Sequence, residues 1–219
     1  MNIRSRLIER GWDRYARLYD SLQPRVVRLF RFFGRFSFEE FQQQLVDLAG
    51  LRPGDRVLDV ACGTGASHQA ILEKIGKRGK LIGADISTEM LNRAKEKARA
   101  HGLENVQYRK ADAQELSAVF GKEEFDAVIS VNGLPQFLHP DKALIEMVYV
   151  LKPGGTLALS TINRDRCEKS AFYWPLMQMA PRLWHTERFR RRLQELGMEQ
   201  IKTVEEGLML IIVAVKGRA

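Results

Sequence analysis

Three aspartates stand at the ends of short apolar runs: Asp59 within 57–60, Asp85 after 80–84, and Asp112 just past 106–110. A small-residue loop with glycines at 63 and 65 follows the first run. A carboxylate accepts hydrogen bonds from hydroxyl, amine and ammonium groups. Glycines at a strand-to-helix turn let a ligand approach the backbone N–H groups at the helix start. The chemistry these residues suit is the holding of a nucleoside. Asp85 is placed to accept from both hydroxyls of a ribose and Asp112 from the exocyclic amine of an adenine. Asp59, at the mouth of the loop, repels a pyrophosphate and suits a ligand bearing an ammonium and a sulfonium. The third glycine of a dinucleotide fingerprint is replaced by His68, and no Lys follows Gly65 as a phosphate-binding P-loop requires.

The elements that must position these groups can be read from hydrophobic period. Runs at 57–60, 80–85, 106–110, 125–131 and 156–161, then 200–204 and 208–215, have strand length. Helical spacing recurs at 37–48, 67–75, 87–100, 141–151 and 186–196. Ser37 with Glu40 forms a capping box, and Ser87 is the N-cap of the helix that follows Asp85. Pro153-Gly154-Gly155 reads as the turn into the fifth strand.

Together these stretches resemble the class I S-adenosylmethionine-dependent methyltransferases. The resemblance runs from about residue 55 to 160 and rests on VLDVACGTG (57–65), LIGADIS (81–87), ADAQEL (111–116) and LKPGGTLALS (151–160), in that order. It implies an α/β fold: a Rossmann-like, doubly wound, seven-stranded sheet with an antiparallel last strand, preceded by an N-terminal helical cap. The division implied is a cap or substrate-cover segment at 1–48 and a methyltransferase domain at 49–219. By position, the methionine end of S-adenosylmethionine falls on Asp59, Ala61, Gly63 and Gly65, the ribose on Asp85, and the adenine on Asp112 and Ala113. Ile86 and Met90 either flank the adenine or pack in the core. Val131 ends the fourth strand, which faces the transferred methyl in this fold.

The chain has 219 residues, a formal net charge of +8 and two cysteines. That is length for one well-buried domain, with no disulfide framework, no zinc spacing and no run long enough for a membrane span. Without a secretory core at the amino terminus, the expected compartment is the cytoplasm. Residues 1–36 hold nine arginines interleaved with aromatic and aliphatic residues. This front reads as a cap with solvated arginines, as a cap that also rests on an anionic membrane surface, or as a nucleic-acid contact.

Beyond the fourth strand, Asn132-Gly133-Leu134-Pro135 lacks the stacking aromatic that enzymes acting on base amines carry there, which argues against a nucleobase acceptor. Residues 172–184, rich in aromatics and methionine, suit a lipid tail, isoprenoid or ring system, or complete a layer under the cap. Candidate bases or substrate contacts are His139 and Tyr19, with Tyr15 and His185 behind them; an acceptor such as a stabilised carbanion needs none. The expected activity is methyl transfer to a small or lipophilic acceptor of lipid, quinone or aromatic type. Methylation of RNA or protein and a silent, methyltransferase-like scaffold are the alternatives.

Overall fold

The computed structural model describes residues 9–14, 38–169 and 184–218. Among them, strands β1 (Arg56–Val60), β2 (Lys80–Asp85), β3 (Val106–Lys110), β4 (Phe125–Val131), β5 (Leu151–Ile162), β6 (Met198–Glu206) and β7 (Met209–Lys216) form one sheet. The helices are α1 (residues 9–14), α2 (Phe38–Leu48), α3 (His68–Ile75), α4 (Thr88–Ala100), α5 (Pro140–Val150), α6 (Arg164–Glu168) and α7 (Thr186–Glu195). Tyr15, Tyr19, the Ser37 cap and residues 170–183 lie outside the described residues.

Strand order is β3-β2-β1-β4-β5-β7-β6. The first five strands pair in parallel, and β7 runs antiparallel to both of its neighbours. This is the expected seven-stranded, doubly wound sheet. Connections from β1 lead outward to β2 and β3, whereas β4 and β5 continue on its other side. The order therefore reverses between β1 and β4, and a crevice for ligand lies beyond the carboxyl ends of those strands.

Alternate residues of the strands face opposite layers, as a pleated strand dictates. Leu58, Val60, Val128, Leu157 and Leu159 join Leu144 and Met147 of α5 and Phe189 and Leu193 of α7. Val57, Ala127, Ile129 and Ala158 meet Phe41, Leu45 and Val46 of α2 and Ile71 and Ile75 of α3 on the other face. Helix α2 thus packs directly on the sheet, its polar residues Glu39 and Glu40 outward. Ser87 caps α4 as expected, accepting from the Met90 N–H at 3.1 Å.

One local expectation is corrected. Pro153-Gly154-Gly155 does not precede the fifth strand as a separate turn but lies inside it as an irregularity. Leu151 already pairs with Phe125, and the register then jumps so that Ala127 faces Thr156. Leu151 is fully buried, so its side chain anchors the strand's start while the intervening residues bulge out. Gly155 is needed there because a Cβ would come within 2.8 Å of the Asp126 carbonyl oxygen. Farther along, Lys216 of β7 donates to the carbonyls of Val148 at 2.9 Å and Leu151 at 2.7 Å, closing the C-terminal end of α5 with a cation.

Leu45 is fully buried in the core that α2 shares with α3 and the sheet. Leu45→Ala is expected to lower unfolding free energy by about 2–5 kcal/mol, read as a lower urea midpoint at unchanged slope.

Candidate functional site

The site is built from the carboxyl ends of β1, β2 and β4. The chain leaves β1 at Ala61 and β4 at Asn132, both in the left-handed region, with φ of 57° and 55°. A non-glycine residue there stores about 1 kcal/mol or more. The two loops approach closely. A Cβ on Gly133 would meet Ser130 Oγ at 2.5 Å and Ala61 Cβ at 3.0 Å. Ser130 Oγ donates to the Val60 carbonyl at 2.8 Å, and the Asn132 N–H donates to the Ser160 carbonyl and hydroxyl, each at 3.1 Å. Strand ends on both sides of the crevice are thereby fixed to one another.

Gly63 and Gly65 have φ of 54° and 72° and form the turn into α3. Among the described residues nothing stands within 4 Å of where a Gly63 Cβ would project, whereas a Gly65 Cβ would fall 2.4 Å from His68 Nδ1. Gly63 therefore leaves its backbone approachable, and Gly65 makes room for the histidine behind the loop.

Asp85 ties the loop to the next turn. Its Oδ2 accepts from the Gly63 N–H and its Oδ1 from the Ser87 N–H, both at 2.9 Å. Each oxygen keeps a lone pair, so the carboxylate can still receive two hydroxyls. Burial raises the Asp85 pKa to about 6; the Asp59 charge adds to the rise, and the N–H groups of Ser87 and Gly63 oppose it.

Asp59 is 1% exposed and lies beneath the loop. Its Oδ2 accepts from Ser67 Oγ at 3.1 Å and faces His68 Nε2 at 3.3 Å, while Oδ1 is buried with no hydrogen-bond partner among the described residues. Beside it, burial pushes the Cys62 thiol well above its usual range, with the charges of Asp85 and Asp59 adding to the effect.

Asp112 Oδ1 accepts from both the backbone and side-chain N–H of Gln114 at 3.0 Å, and Ala113 is buried. Gln114 in turn accepts from the His139 N–H at 2.9 Å, which ties the β3 turn to the loop after β4. Ile86 and Val131 are half-buried at the ends of β2 and β4, and Met90 is buried on α4.

The proposed bases separate. His139 begins α5 with its backbone fixed and its side chain exposed. His185 Nδ1 contacts Asp165 Oδ1 at 2.5 Å, and the Thr186 N–H donates to Asp165 Oδ2 at 2.9 Å. Burial opposes ionisation of Asp165, yet the hydrogen bonds from Thr186 and His185 hold its pKa down to about 2.

Residues 51–204 match the family model described as a methyltransferase domain. The chain belongs to the class I S-adenosylmethionine-dependent methyltransferases. Among relatives, the ubiquinone/menaquinone biosynthesis C-methyltransferase UbiE of Teredinibacter turnerae is 43% identical over 122 residues, covering 55% of this chain and 48% of that protein. UbiE of Methylococcus capsulatus is 42% identical over 113 residues, covering 51% and 45%. The chain spans about half the length of the curated relatives it matches. A methyltransferase structure from Aquifex aeolicus superposes with a TM-score of 0.66 at 23% identity, covering 80% of this chain and 88% of that one. Phosphoethanolamine N-methyltransferase 2 of Haemonchus contortus, solved with S-adenosylmethionine, gives 0.69 at 18% identity, covering 83% and 53%. At such identity these structures speak for the fold alone.

The residues present fit this cofactor. Asp85 retains acceptor capacity for hydroxyl donors, no described side chain crowds Gly63, and the orphaned Asp59 Oδ1 is the kind of atom an ammonium or its bridging water satisfies. Sequence reading of this methyltransferase missed Ser67, Tyr108 and Gln114, and took His68 only as a departure from a fingerprint. One sign was available: an isolated Gly83 inside a strand marks a close approach.

Helix α1 lies against the same end of the sheet. Asp13 Oδ1 accepts from Ser87 Oγ at 2.5 Å and from the Glu89 N–H at 3.2 Å, placing a second carboxylate at the N-terminus of α4. Glu9 pairs with Lys110 at the end of β3.

Two outcomes are expected. The folded Asp85 pKa lies above its ordinary value of 3.8, so its contribution favours folding at low pH and is lost as pH rises through about 6. Ribose hydroxyls favour the ionised form, so binding has the opposite slope. S-adenosylhomocysteine affinity, measured calorimetrically, should weaken as pH falls from about 7 to about 5, approaching tenfold per unit at the low end; a flat profile removes Asp85 from the site. Asp13→Ala should destabilise the α4 terminus by about 1 kcal/mol, seen as faster hydrogen exchange at the Glu89 amide with the β-sheet amides unchanged.

Proposed function

We propose that this methyltransferase methylates a ring carbon of a reduced, quinone-type acceptor. The observation that carries the reading is its likeness, above 40% identity over half the chain, to proteins named as quinone-biosynthetic C-methyltransferases. Bound S-adenosylmethionine would supply an electrophilic methyl: the acceptor carbon's electron pair would form the new bond, the carbon–sulfur pair would return to sulfur, and the ring proton would pass to solvent water, restoring aromaticity.

The chain's own part is positioning and exclusion of water. Asp85, Gly63 and the loop from Ala61 to Gly65 hold the cofactor, with Asp59 and the Asp112–Gln114 turn at its two ends. The crevice between β1 and β4 sets the acceptor beside Val131 and Asn132. Leu134 and Phe137 anchor the turn after β4 in the hydrophobic core, so its position beside the crevice is fixed. An electron-rich hydroquinone carbon is nucleophilic already, so the exposed His139 need not act as a base.

A lipophilic acceptor also suits the arginine- and aromatic-rich front, read as resting on an anionic membrane surface. Among the described residues no helix is long and apolar enough to cross a membrane.

The test supplies S-adenosylmethionine with a labelled methyl group together with short-chain prenylated benzoquinones and naphthoquinones, with and without a reductant. Label on a ring carbon, only when the quinone is reduced, is the expected result. Transfer to phenol oxygen or to amines, with ring carbons untouched, would overturn the acceptor class.

A further inference from the structure

Beneath the glycine loop three residues lie in a row across three strands. Asp59 of β1 faces Gly83 of β2, and Gly83 faces Tyr108 of β3. Gly83 leaves the middle of the row bare, and the ring of His68 lies over it: a Cβ on Gly83 would come within 3.1 Å of His68 Cε1. From there the ring reaches both ends. Nδ1 is 3.1 Å from the Tyr108 hydroxyl and Nε2 is 3.3 Å from Asp59 Oδ2. Both His68 and Asp59 are 1% exposed.

Hydrogen-bond accounting orients the ring. Tyr108 gives its single hydroxyl proton to the Ala94 carbonyl at 3.0 Å. The same hydroxyl oxygen lies against His68 Nδ1 and holds the ring in this orientation. Nε2 is the atom turned to Asp59: it lies 3.3 Å from Oδ2 as a charge contact and has no hydrogen-bond partner among the described residues. Ser67 Oγ donates to the same oxygen. The protein thus converges on Oδ2, while Oδ1 is buried without a partner among the described residues. An unsatisfied buried acceptor is costly, and the cost is removed when a ligand or water donates to it.

We infer that His68 is a positioning residue for the amino-acid end of the cofactor: beside the hydrogen bond from Ser67 it packs against the Oδ2 side of Asp59, and so turns Oδ1 to the ammonium, directly or through one water. The inference rests on the assignment of that end of S-adenosylmethionine to the 61–65 loop. His68 also supports the loop from behind, since its ring fills the space a side chain at 65 would need.

Two ligands separate these roles. S-adenosylhomocysteine carries the amino-acid end; methylthioadenosine has the same nucleoside and sulfur without it. His68→Asn keeps an amide toward Tyr108 but is too short to reach Asp59, and His68→Gln restores an amide at the distance of Nε2. Calorimetric titration of His68→Asn should show S-adenosylhomocysteine affinity reduced about tenfold, the scale of one charge-assisted hydrogen bond, with methylthioadenosine affinity held within about twofold. His68→Gln should keep the wild-type ratio of the two affinities within about threefold, and this comparison decides the matter if His68→Asn does not fold.

Equal loss for both ligands would make His68 loop support alone and overturn the proposal, as would a collapsed ratio in His68→Gln. Wild-type protein that binds methylthioadenosine as tightly as S-adenosylhomocysteine overturns it too, because no amino-acid subsite then exists. Binding of neither ligand overturns the cofactor reading beneath it.

Discussion

Asp59 is a carboxylate in an interior strand of a sheet covered on both faces, and much of the site follows from how that charge is accommodated. A buried carboxylate without donors is too costly to keep. Its neighbours are therefore specified: a hydroxyl at Ser67, an imidazole at His68, a bare position at Gly83 to admit the ring, and a tyrosine on the next strand to complete the ring's hydrogen bonds. These residues come from β1, β2, β3 and the start of α3. The polar requirement of one atom group thus fixes how the glycine loop sits on the sheet.

Asp85 acts on the exposed side of the same loop. By accepting from Gly63 and Ser87 it holds the glycine turn and the α4 cap at one spacing, with room for two further donors. Strain concentrates beside it at Ala61 and Asn132, adjoining loop residues in left-handed geometry. Hydrogen bonds from Ser130 and Asn132 over-determine those turns, which is what lets the strained backbone persist.

The fold and the cofactor loop are legible from sequence because their signals are local. Apolar runs of strand length, punctuated by small and polar residues, require only adjacent residues to be read, and the order of four stretches does the rest. The His68–Tyr108 contact is not legible in that way. It depends on the β2–β3 register, which places Gly83 opposite Tyr108, and register arises from pairing across the sheet. His139 shows the same division: its place after β4 follows from the sequence, but its exposure follows from Gln114 gripping its backbone from another turn. The Pro153-Gly154-Gly155 reading failed because Leu151, three-dimensionally part of the core, began the strand before the turn residues that normally punctuate it.

The placing of β7 between β5 and β6 governs the order in which the chain can assemble. As the polypeptide emerges from a ribosome, β1 to β5 can pair as each appears, because every new strand finds a neighbour already made. β6 cannot: its hydrogen-bonding partner is the strand that follows it. It must wait unpaired until β7 threads alongside β5, and during that interval the apolar edge of β5 stands open to other nascent chains. Glu199, Lys202, Glu205 and Glu206 give the waiting strand a charged character that discourages mispairing. Completion of the sheet is then a single late event, in which Lys216 also seals the end of α5.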